Sequence, residues 1–203
     1  MIRMERIELH TPLSEKEIRR LNIGDQIFLS GTIITGRDAA HKRIIKHIRE
    51  RKNLPFSFDG LALYHCGPLV RKVRNGWMVL AAGPTTSMRM EPFESEVIEK
   101  LGIRLIIGKG GMGEKTKEAM RRHGAVYGAF PGGAAVLAAK HIKRLIRVEW
   151  LDLGMPEAVW IFEVDHFGPI IVGMDSHGGS LYEEEKNRTL RNLSAVFETF
   201  VSE

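Results

Sequence analysis

The sequence predicts a single α/β domain, covering residues 1–203, with a mixed sheet. Strand-like and helix-like segments alternate between residues 104 and 150, which is typical of parallel strands joined by helices. Segments 158–167 and 168–175 both read as strands and follow one another directly, which predicts a hairpin around Phe167–Gly168. A chain of 203 residues has the length of one domain and can bury a substantial core.

In the N-terminal half, hydrophobic periodicity and turn residues divide the chain into four strands and two helices. Ser14 is the expected N-cap of the first helix, and Glu17 stands three residues later, which is the pattern of a capping box. The predicted elements are a strand at 5–10, a helix at 14–21, a strand at 25–36, a basic helix at 37–52, and strands at 61–66 and 76–83 on either side of a charged turn around Arg71–Asn75.

In the C-terminal half, helices and strands alternate before the predicted hairpin. A helix at 91–102 is expected to end at Gly102, because glycine accepts the left-handed conformation that closes a helix. The other predicted elements are strands at 104–108, 125–130 and 144–150, helices at 113–123 and 133–142, and a final helix at 182–201 with Leu190, Leu193, Phe197 and Phe200 on one stripe.

Bulk properties exclude several classes of protein. No apolar stretch is long enough to span a bilayer. Charged residues also occupy the place where a signal peptide has its apolar core, so we expect a cytoplasmic protein. Cys66 is the only cysteine, which excludes an intrachain disulfide and an iron–sulfur cluster held by cysteines of this chain alone. Cys66 is interpreted as a small buried hydrophobe.

The net charge of +5 favours anionic partners. The most basic segment, 37–52, has Ala40, Ile44, Ile45 and Ile48 on one helical face and Lys and Arg residues on the other. No known nucleic-acid recognition motif accompanies this basic face. We therefore interpret it as the solvated side of a docked helix, and a basic nucleic-acid-binding or regulatory module is the alternative class.

The glycine-rich stretch LIIGKGGMGEKTKEA (105–119) raises the question of a nucleotide site. Its glycines match G-x-G-x-x-G, but no acidic residue stands at the end of the next strand to bind a ribose. A phosphate loop needs lysine directly after its last glycine, and Glu114 stands there instead. The remaining interpretation is a glycine turn at a helix N-terminus, an anion site that contains Lys109.

Two other strand ends carry cations. SGTIITGRDAAHKR places Arg37 after a strand, and AAGPTTSMRMEPFE presents Thr85, Thr86 and Arg89 after another. Ligands of α/β sheets bind at the carboxyl ends of the strands. We therefore expect Arg37, Arg89 and Lys109 to converge on one small anion with more than one negative charge, since guanidinium groups bind carboxylates in a bidentate manner.

Six segments resemble, in this order, the β subunit or C-terminal half of the class I iron–sulfur hydro-lyases, fumarase and L(+)-tartrate dehydratase. They are SGTIITGRDAAHKR, GPTTSMRME, GKGGMG, FPGGAAVLAAKHI, DLGMPEAVW and HFGPIIVGMDSHG, and together they cover nearly the whole chain. The resemblance implies a swivelling β/β/α domain that acts on a small dicarboxylate with a cysteine-bearing α subunit, in an α2β2 heterotetramer. It also implies a [4Fe–4S] cluster bound by that α subunit and not by this chain.

The resemblance assigns roles to four residues. Arg37, Arg89 and Lys109 match the family's ligands for substrate carboxylates, and Thr85 matches the residue proposed there as the catalytic base. The implied activity is the reversible hydration of fumarate to (S)-malate, and the dehydration of L(+)-tartrate to oxaloacetate is the alternative. Because a threonine alkoxide is costly in water, Thr85 is either a desolvated base between cations or a hydroxyl that orients the substrate.

Other residues are secondary candidates. Thr86 is expected to be a structural partner of its turn, and Gly108 and Gly110 would let the backbone approach the substrate. His41 either faces the site or makes a structural hydrogen bond to Asp38 or a neighbour. Met174 replaces the first glycine of a nucleophile elbow, which disfavours a serine hydrolase. Four polar residues near the predicted hairpin lack the regular spacing of a metal site, so no metal site is predicted in this chain: Asp165, His166, Asp175 and His177.

Overall fold

A computed structural model describes residues 5–74 and 76–201, with side chains described as far as residue 193. Nine strands, six α-helices and short 3-10 turns are assigned within these ranges. In chain order they are β1 Arg6–His10, α1 Glu15–Ile18, β2 Gln26–Thr35, α2 Asp38–Arg49, β3 Ala62–Tyr64, β4 Leu69–Val73, β5 Gly76–Ala81, a 3-10 turn Ser87–Met90, α3 Glu91–Leu101, β6 Leu105–Gly108, α4 Glu114–His123, β7 Val126–Ala129, a 3-10 turn Gly132–Ala134, α5 Ala135–Lys140, β8 Ile142–Glu149, a 3-10 turn Leu151–Leu153, β9 Val159–Met174 and α6 Leu181–Val201.

The main sheet has seven strands in the order β1-β2-β3-β6-β7-β9-β8, and β4 and β5 form a separate hairpin. Strands β1, β2, β3, β6 and β7 are parallel, whereas β9 is antiparallel to β7, β8 and β2. At Ile171, β9 pairs with Gln26 of β2 on one edge and with Ala129 of β7 on the other. The sheet therefore closes on itself, and the predicted α/β class with a mixed sheet is confirmed.

Two hydrophobic clusters lie on opposite faces of the parallel strands. Successive side chains of a strand point to opposite faces, so neighbouring residues enter different clusters. One cluster includes Ile33, Tyr64 and Ile107 together with the aromatic residues of β9, and the other includes Ile34, Leu63 and Ile106 together with α2, α3 and α4. Both faces are covered, which explains why these strands read as continuous apolar runs.

The local signals at the helix ends are confirmed. Ser14 Oγ accepts a hydrogen bond from the Glu17 backbone N–H, and the Glu17 carboxylate accepts one from the Ser14 backbone N–H, which completes the capping box. Helix α1 is nevertheless only four residues long, shorter than the predicted 14–21. Gly102 closes α3 with a φ of 69°, in the left-handed conformation that glycine accepts at no steric cost.

The predicted hairpin around Phe167–Gly168 is wrong. Residues 159–174 form one continuous strand of 16 residues. Strand β2 pairs with β9 on both sides of this point, from Ile34 opposite Ile161 to Gln26 opposite Ile171, and the register shifts along the way. A continuous partner keeps the chain extended, and the shifts absorb the Gly-Pro pair within the ladder as bulges do.

The predicted charged turn around Arg71–Asn75 is also wrong in part. Arg71 and Lys72 belong to strand β4, which continues to Val73, and Asn75 lies outside the described residues. Strand β4 lies in an outer two-stranded sheet, where the Arg71 and Lys72 side chains are exposed to solvent. A strand with an exposed face accepts charged residues, so charge alone did not indicate a turn.

The predicted C-terminal helix is present as α6, and its predicted apolar stripe lies only partly within the described residues. Leu190 and Leu193 are about half exposed, and the side chains of Phe197 and Phe200 lie outside the described part of the chain. None of the helices in the described ranges is long and apolar enough to cross a membrane.

Closure of the sheet predicts a strict requirement for glycine at position 128. A Cβ atom on Gly128 of β7 would lie 2.3 Å from Ile170 Cγ2 of β9. We expect Gly128→Ala to lower the free energy of unfolding by about 1–3 kcal/mol, as over-packing does. Urea unfolding followed by circular dichroism measures the change. Gly133→Ala is the control, because no atom lies within 4 Å of its Cβ position; equal stability of the two variants would contradict the packing argument.

Candidate active site

The carboxyl ends of β2, β3 and β6 lie side by side in the sheet. Thr35 pairs with Tyr64, and Tyr64 pairs with Ile107, so the residues that follow these strands emerge at one edge. Arg37 follows β2 and begins α2 as its N-cap, and Lys109 follows β6. The sequence-predicted cations therefore stand at the edge where ligands of α/β sheets bind.

The segment with Thr85, Thr86 and Arg89 is bonded to the same strand ends. The Thr85 backbone N–H donates to the His65 carbonyl oxygen at 2.7 Å, and the Ser87 N–H donates to the Lys109 carbonyl oxygen at 3.0 Å. Thr86 pairs with Lys109 in an isolated parallel bridge and caps the 3-10 turn. These backbone bonds bring Thr85 and Arg89 to the end of β6, and the Thr86 backbone has the structural position predicted for it.

Arg89 joins Thr85 to helix α2. Its Nη2 donates to Thr85 Oγ1 at 2.6 Å and lies 3.1 Å from Asp38 Oδ2 at the start of α2. The guanidinium favours negative character on the Thr85 oxygen, while the Thr85 hydroxyl proton is free to be donated elsewhere.

Arg37 is held by an acidic residue of the same chain. Its Nη2 lies 3.2 Å from Glu157 Oε1, and the other Glu157 oxygen accepts the Ala39 backbone N–H at 2.9 Å. A Cβ on Gly67 would lie 2.9 Å from Arg37 Nη1, so only glycine leaves room for this guanidinium. Arg37 Nε is buried without a hydrogen-bond partner among the described residues, which leaves one donor unused.

Lys109 is the cation of this group with the fewest constraints. It is exposed and forms no salt bridge with any residue in the described ranges. Its Nζ lies 3.5 Å from the position that a Cβ on Gly132 would occupy, so the ammonium group extends towards the loop at 131–133. An ammonium group without an intramolecular carboxylate is available to an incoming anion.

The two candidate glycines are required for different reasons. A Cβ on Gly108 would lie 1.9 Å from Ser87 Oγ, which is itself 3.0 Å from the Tyr127 hydroxyl oxygen. Gly110 has open space around it and a φ of +85°, which L side chains rarely adopt. Gly108 therefore permits the close approach of the Ser87 turn, and Gly110 permits the reversal after Lys109.

The prediction of an anion site at the N-terminus of α4 is wrong. The Glu91 carboxylate already accepts hydrogen bonds there from Gly113 N–H at 2.7 Å and from the Thr116 hydroxyl at 2.6 Å. A carboxylate of the same chain therefore satisfies two backbone N–H groups of the first turn and places a negative charge at the positive end of the helix dipole. Lys109, and not the helix terminus, is the part of this loop that remains able to bind an external anion.

His41 makes structural hydrogen bonds, which is the second of the two predicted alternatives, but its acidic partner Glu94 was missed by sequence reasoning. Its ring is completely buried, with Nδ1 2.8 Å from the Arg37 carbonyl oxygen and Nε2 3.0 Å from Glu94 Oε2. His65 Nε2 lies 3.0 Å from the same Glu94 oxygen. The sequence did contain one sign that Glu94 is buried. Glu94 lies on the same face of α3 as the apolar residues Val97 and Ile98.

The polar residues near Phe167 have structural roles. Asp175 accepts backbone N–H groups from Ile23, His177 and Gly179, and Asp165 forms a salt bridge with Lys143. Both carboxylates therefore take part in hydrogen bonds or ion pairs of the chain itself.

Cys66 does not fit an iron–sulfur cluster. The thiol is completely buried, and this burial raises its pKa, which disfavours the thiolate that binds metal. Clusters of this kind are held by several cysteine thiolates, and this chain has one cysteine. The prediction of a small buried hydrophobe at Cys66 is confirmed.

The chain belongs to the fumarase C-terminal family, since the family model described as "Fumarase C-terminus" matches residues 2–185. It is thus a member of the class I fumarase and tartrate dehydratase β-subunit family, whose named relatives are hydro-lyases.

Individual relatives resemble it over most of its length. The chain is 44% identical to the "L(+)-tartrate dehydratase subunit beta" of Escherichia coli K12 over 88% of this chain and 87% of that protein. It is 45% identical to the "Putative L(+)-tartrate dehydratase subunit beta" of Methanocaldococcus jannaschii over 91% and 95% of the two chains. The "Putative fumarate hydratase class I" of Geobacillus stearothermophilus is 44% identical over 97% of this chain and 37% of its own length.

The capping role of Glu91 predicts a loss of stability without it. We expect Glu91→Ala to lower the free energy of unfolding by about 1.5–3 kcal/mol, because charge-assisted hydrogen bonds at the N-terminus of α4 are lost. Glu99→Ala is the control and should change stability by less than about 0.5 kcal/mol, because Glu99 is exposed on the same helix and, within the described ranges, forms a salt bridge only with its neighbour Lys100. Chemical denaturation compares them, and equal losses would disprove the capping role.

Proposed function

We propose that this chain is the β subunit of a two-subunit class I hydro-lyase that adds water to, or removes it from, a small dicarboxylate. The observation that carries the proposal is the placement of Arg37, Arg89 and Lys109 at one edge of the sheet, where Arg89 is bonded to Thr85 and Lys109 pairs with the next residue, Thr86. Family membership supports the same reaction class. The swivelling β/β/α arrangement of the domain is part of this proposal.

The charges of the site fit a doubly negative substrate. Arg37 is paired with Glu157 and Arg89 with Asp38, whereas Lys109 forms no salt bridge with the described residues. Three cations and two carboxylates leave one net positive charge, which keeps the empty site stable. A bound dicarboxylate would take Lys109 as its first partner and the open faces of the two guanidinium groups as further donors.

Thr85 is the residue of this chain that we place next to the reacting carbon. The backbone bond from Thr85 N–H to the end of β3 fixes its position, and the Arg89 guanidinium fixes the direction of its hydroxyl. In the proposed reaction Thr85 Oγ1 gives its own proton to a base of the α subunit and receives the proton from the carbon next to a carboxylate, or its hydroxyl orients the group that receives that proton. Arg37, Arg89 and Lys109 stabilise the negative charge that develops on that carboxylate.

The partner in this proposal is a cysteine-bearing α subunit that holds the [4Fe–4S] cluster, in an α2β2 assembly. The single buried cysteine of this chain supports placing the cluster on the other subunit. When bound there, the cluster would supply Lewis acidity towards substrate oxygens. The residues of this chain bind and orient the carboxylates and handle the proton.

Two substrates have specific support. L(+)-tartrate is favoured because the tartrate dehydratase β subunits are separate chains of similar length, aligned over 87% and 95% of their residues. Fumarate, the first expectation from the sequence, is the second candidate because a relative named for that activity is equally similar, although it is a much longer chain.

The proposal is tested by co-expressing the chain with its α subunit, reconstituting the cluster without oxygen, and measuring tartrate dehydration and fumarate hydration. Arg89→Ala and Lys109→Met should each lower kcat/KM by about tenfold to about a hundredfold, the value of one charge-assisted hydrogen bond of about 1.5–3 kcal/mol. Size-exclusion chromatography should show unchanged subunit assembly.

Lys115→Ala is the matched control, because Lys115 is an exposed lysine on α4, beyond the glycine loop. It should leave kcat/KM within about twofold of the unmodified enzyme, as surface substitutions do. Absence of turnover of both substrates by the reconstituted enzyme would overturn the proposed function. An unchanged kcat/KM in both cation variants would overturn the assigned site.

A further inference from the structure

A closed polar cluster lies directly beneath the candidate site. It consists of His41 on α2, His65 immediately after β3 and Glu94 on α3, and all three side chains are completely buried. Each histidine Nε2 lies 3.0 Å from Glu94 Oε2, and the two rings meet edge to face at a centroid distance of 5.3 Å. We call these three residues the buried cluster.

The partners of His41 determine how many protons it carries. Its Nδ1 lies 2.8 Å from the Arg37 carbonyl oxygen, which only accepts, so Nδ1 bears a hydrogen. Its Nε2 faces the Glu94 carboxylate oxygen. If neither atom carried a hydrogen, a lone pair of the nitrogen would point at a lone pair of the oxygen, which is repulsive. A proton must therefore lie between His41 and Glu94 as well, either on the ring or on the carboxylate.

His65 decides where that proton resides. Its Nδ1 is buried without a partner among the described residues, so the hydrogen of a neutral ring is on Nε2 and is donated to Glu94 Oε2. Glu94 Oε2 then accepts two hydrogen bonds, which favours the ionised carboxylate. Burial lowers the pKa of His65 and keeps its ring neutral. The added proton is therefore on His41.

The directions of the pKa shifts of His41 and Glu94 agree with this placement of the protons. Burial opposes the charged form of both groups, but the hydrogen bond and the charge of Glu94 outweigh it and raise the pKa of His41. Burial likewise acts to raise the pKa of Glu94, yet the two neighbouring imidazoles and the hydrogen bonds they make to its carboxylate lower the pKa overall. Four groups bear on the His41 proton: Glu94 from α3, the Arg37 carbonyl and Asp38 from the start of α2, and the neighbouring ring of His65 from the end of β3.

We propose that the buried cluster holds a His41 imidazolium paired with a Glu94 carboxylate, and that these residues, together with His65, position the substrate-binding residues of the proposed hydro-lyase. His41 Nδ1–H fixes the carbonyl of Arg37, and the His65 carbonyl accepts the backbone N–H of Thr85. Glu94 anchors the helix that follows the turn bearing Arg89. The kinetic consequence rests on the proposed function, whereas the charge state does not.

A proton satisfies this geometry better than a metal ion. Two imidazole nitrogens and a carboxylate oxygen are also a zinc donor set, and these three atoms lie within 4.8 Å of one another. A structural zinc site needs four ligands, whereas the described residues offer three, with no exposed face where a water could complete the set. The hydrogen-bond count closes for His41 with one proton and no further ligand.

The charge state is tested on the isolated chain by NMR of ¹⁵N-labelled histidine rings. At about pH 7, above the ordinary imidazole pKa of about 6.5, His41 should show two protonated nitrogens and His65 only a protonated Nε2. In Glu94→Gln the doubly protonated His41 signal should be lost at neutral pH. A neutral His41 at pH 7 in the unmodified chain, or one equivalent of tightly bound zinc or iron in it, would overturn the proposal.

The positioning role of the buried cluster is tested in Glu94→Gln by local amide hydrogen exchange, which distinguishes a local effect from a loss of global stability. Amide hydrogen exchange of Thr85 should become at least about tenfold faster, because its acceptor belongs to the cluster. Exchange of Val126, whose N–H donates to the Arg104 carbonyl on the opposite side of the domain core, should stay within about twofold. Equal acceleration at both amides would show a merely structural effect and would refute the positioning role.

With the α subunit present, Glu94→Gln should lower kcat/KM by at least about tenfold while the subunits still assemble, because small misplacement of binding groups is costly. Wild-type kcat/KM in a Glu94→Gln variant with the altered His41 signal would refute the positioning role. If the unmodified enzyme turns over neither dicarboxylate, the proposed function fails and the NMR result still decides the charge state. If Glu94→Gln does not fold, the spectrum of the unmodified chain decides it.

Discussion

The pairing of β9 with both β2 and β7 is the constraint on which the rest of the structure depends. This single strand closes the sheet, because Ile171 faces Gln26 on one side and Ala129 on the other. Closure fixes β2, β3 and β6 in register, and their carboxyl ends then deliver Arg37, His65 and Lys109 to one edge. The site is made of loop residues, but its geometry is set by the ladder beneath it.

Negative charges of the chain itself control what the site can bind. Glu91 occupies the N-terminus of α4, and Glu157 binds both Arg37 and the first turn of α2. Two helix termini that would otherwise attract anions are therefore already satisfied. Recognition passes to side-chain cations, among which Lys109 has the greatest freedom. Under the proposed function, such a site would select for the shape of a dicarboxylate and not merely for negative charge.

Sequence reasoning succeeded where the signal is local. The capping box at Ser14, the closing glycine at Gly102 and the apolar face of α2 depend on spacings of three or four residues, and all are present. It failed for the hairpin at Phe167–Gly168, since a Gly-Pro pair that usually marks a turn is held extended by a neighbouring strand. The partners of His41 were missed because Glu94 is 53 residues away.

The sequence by itself determined the α/β class, the cations at the strand ends and the family, because periodicity, turn chemistry and motif order are all properties of short segments. Only the tertiary structure decided which charges remain available. Glu157 reaches Ala39 across 118 residues, and Glu91 reaches Gly113 across 22, so neither pairing follows from local spacing. A charged group is free or satisfied according to what closure of the sheet places beside it, which no single segment specifies.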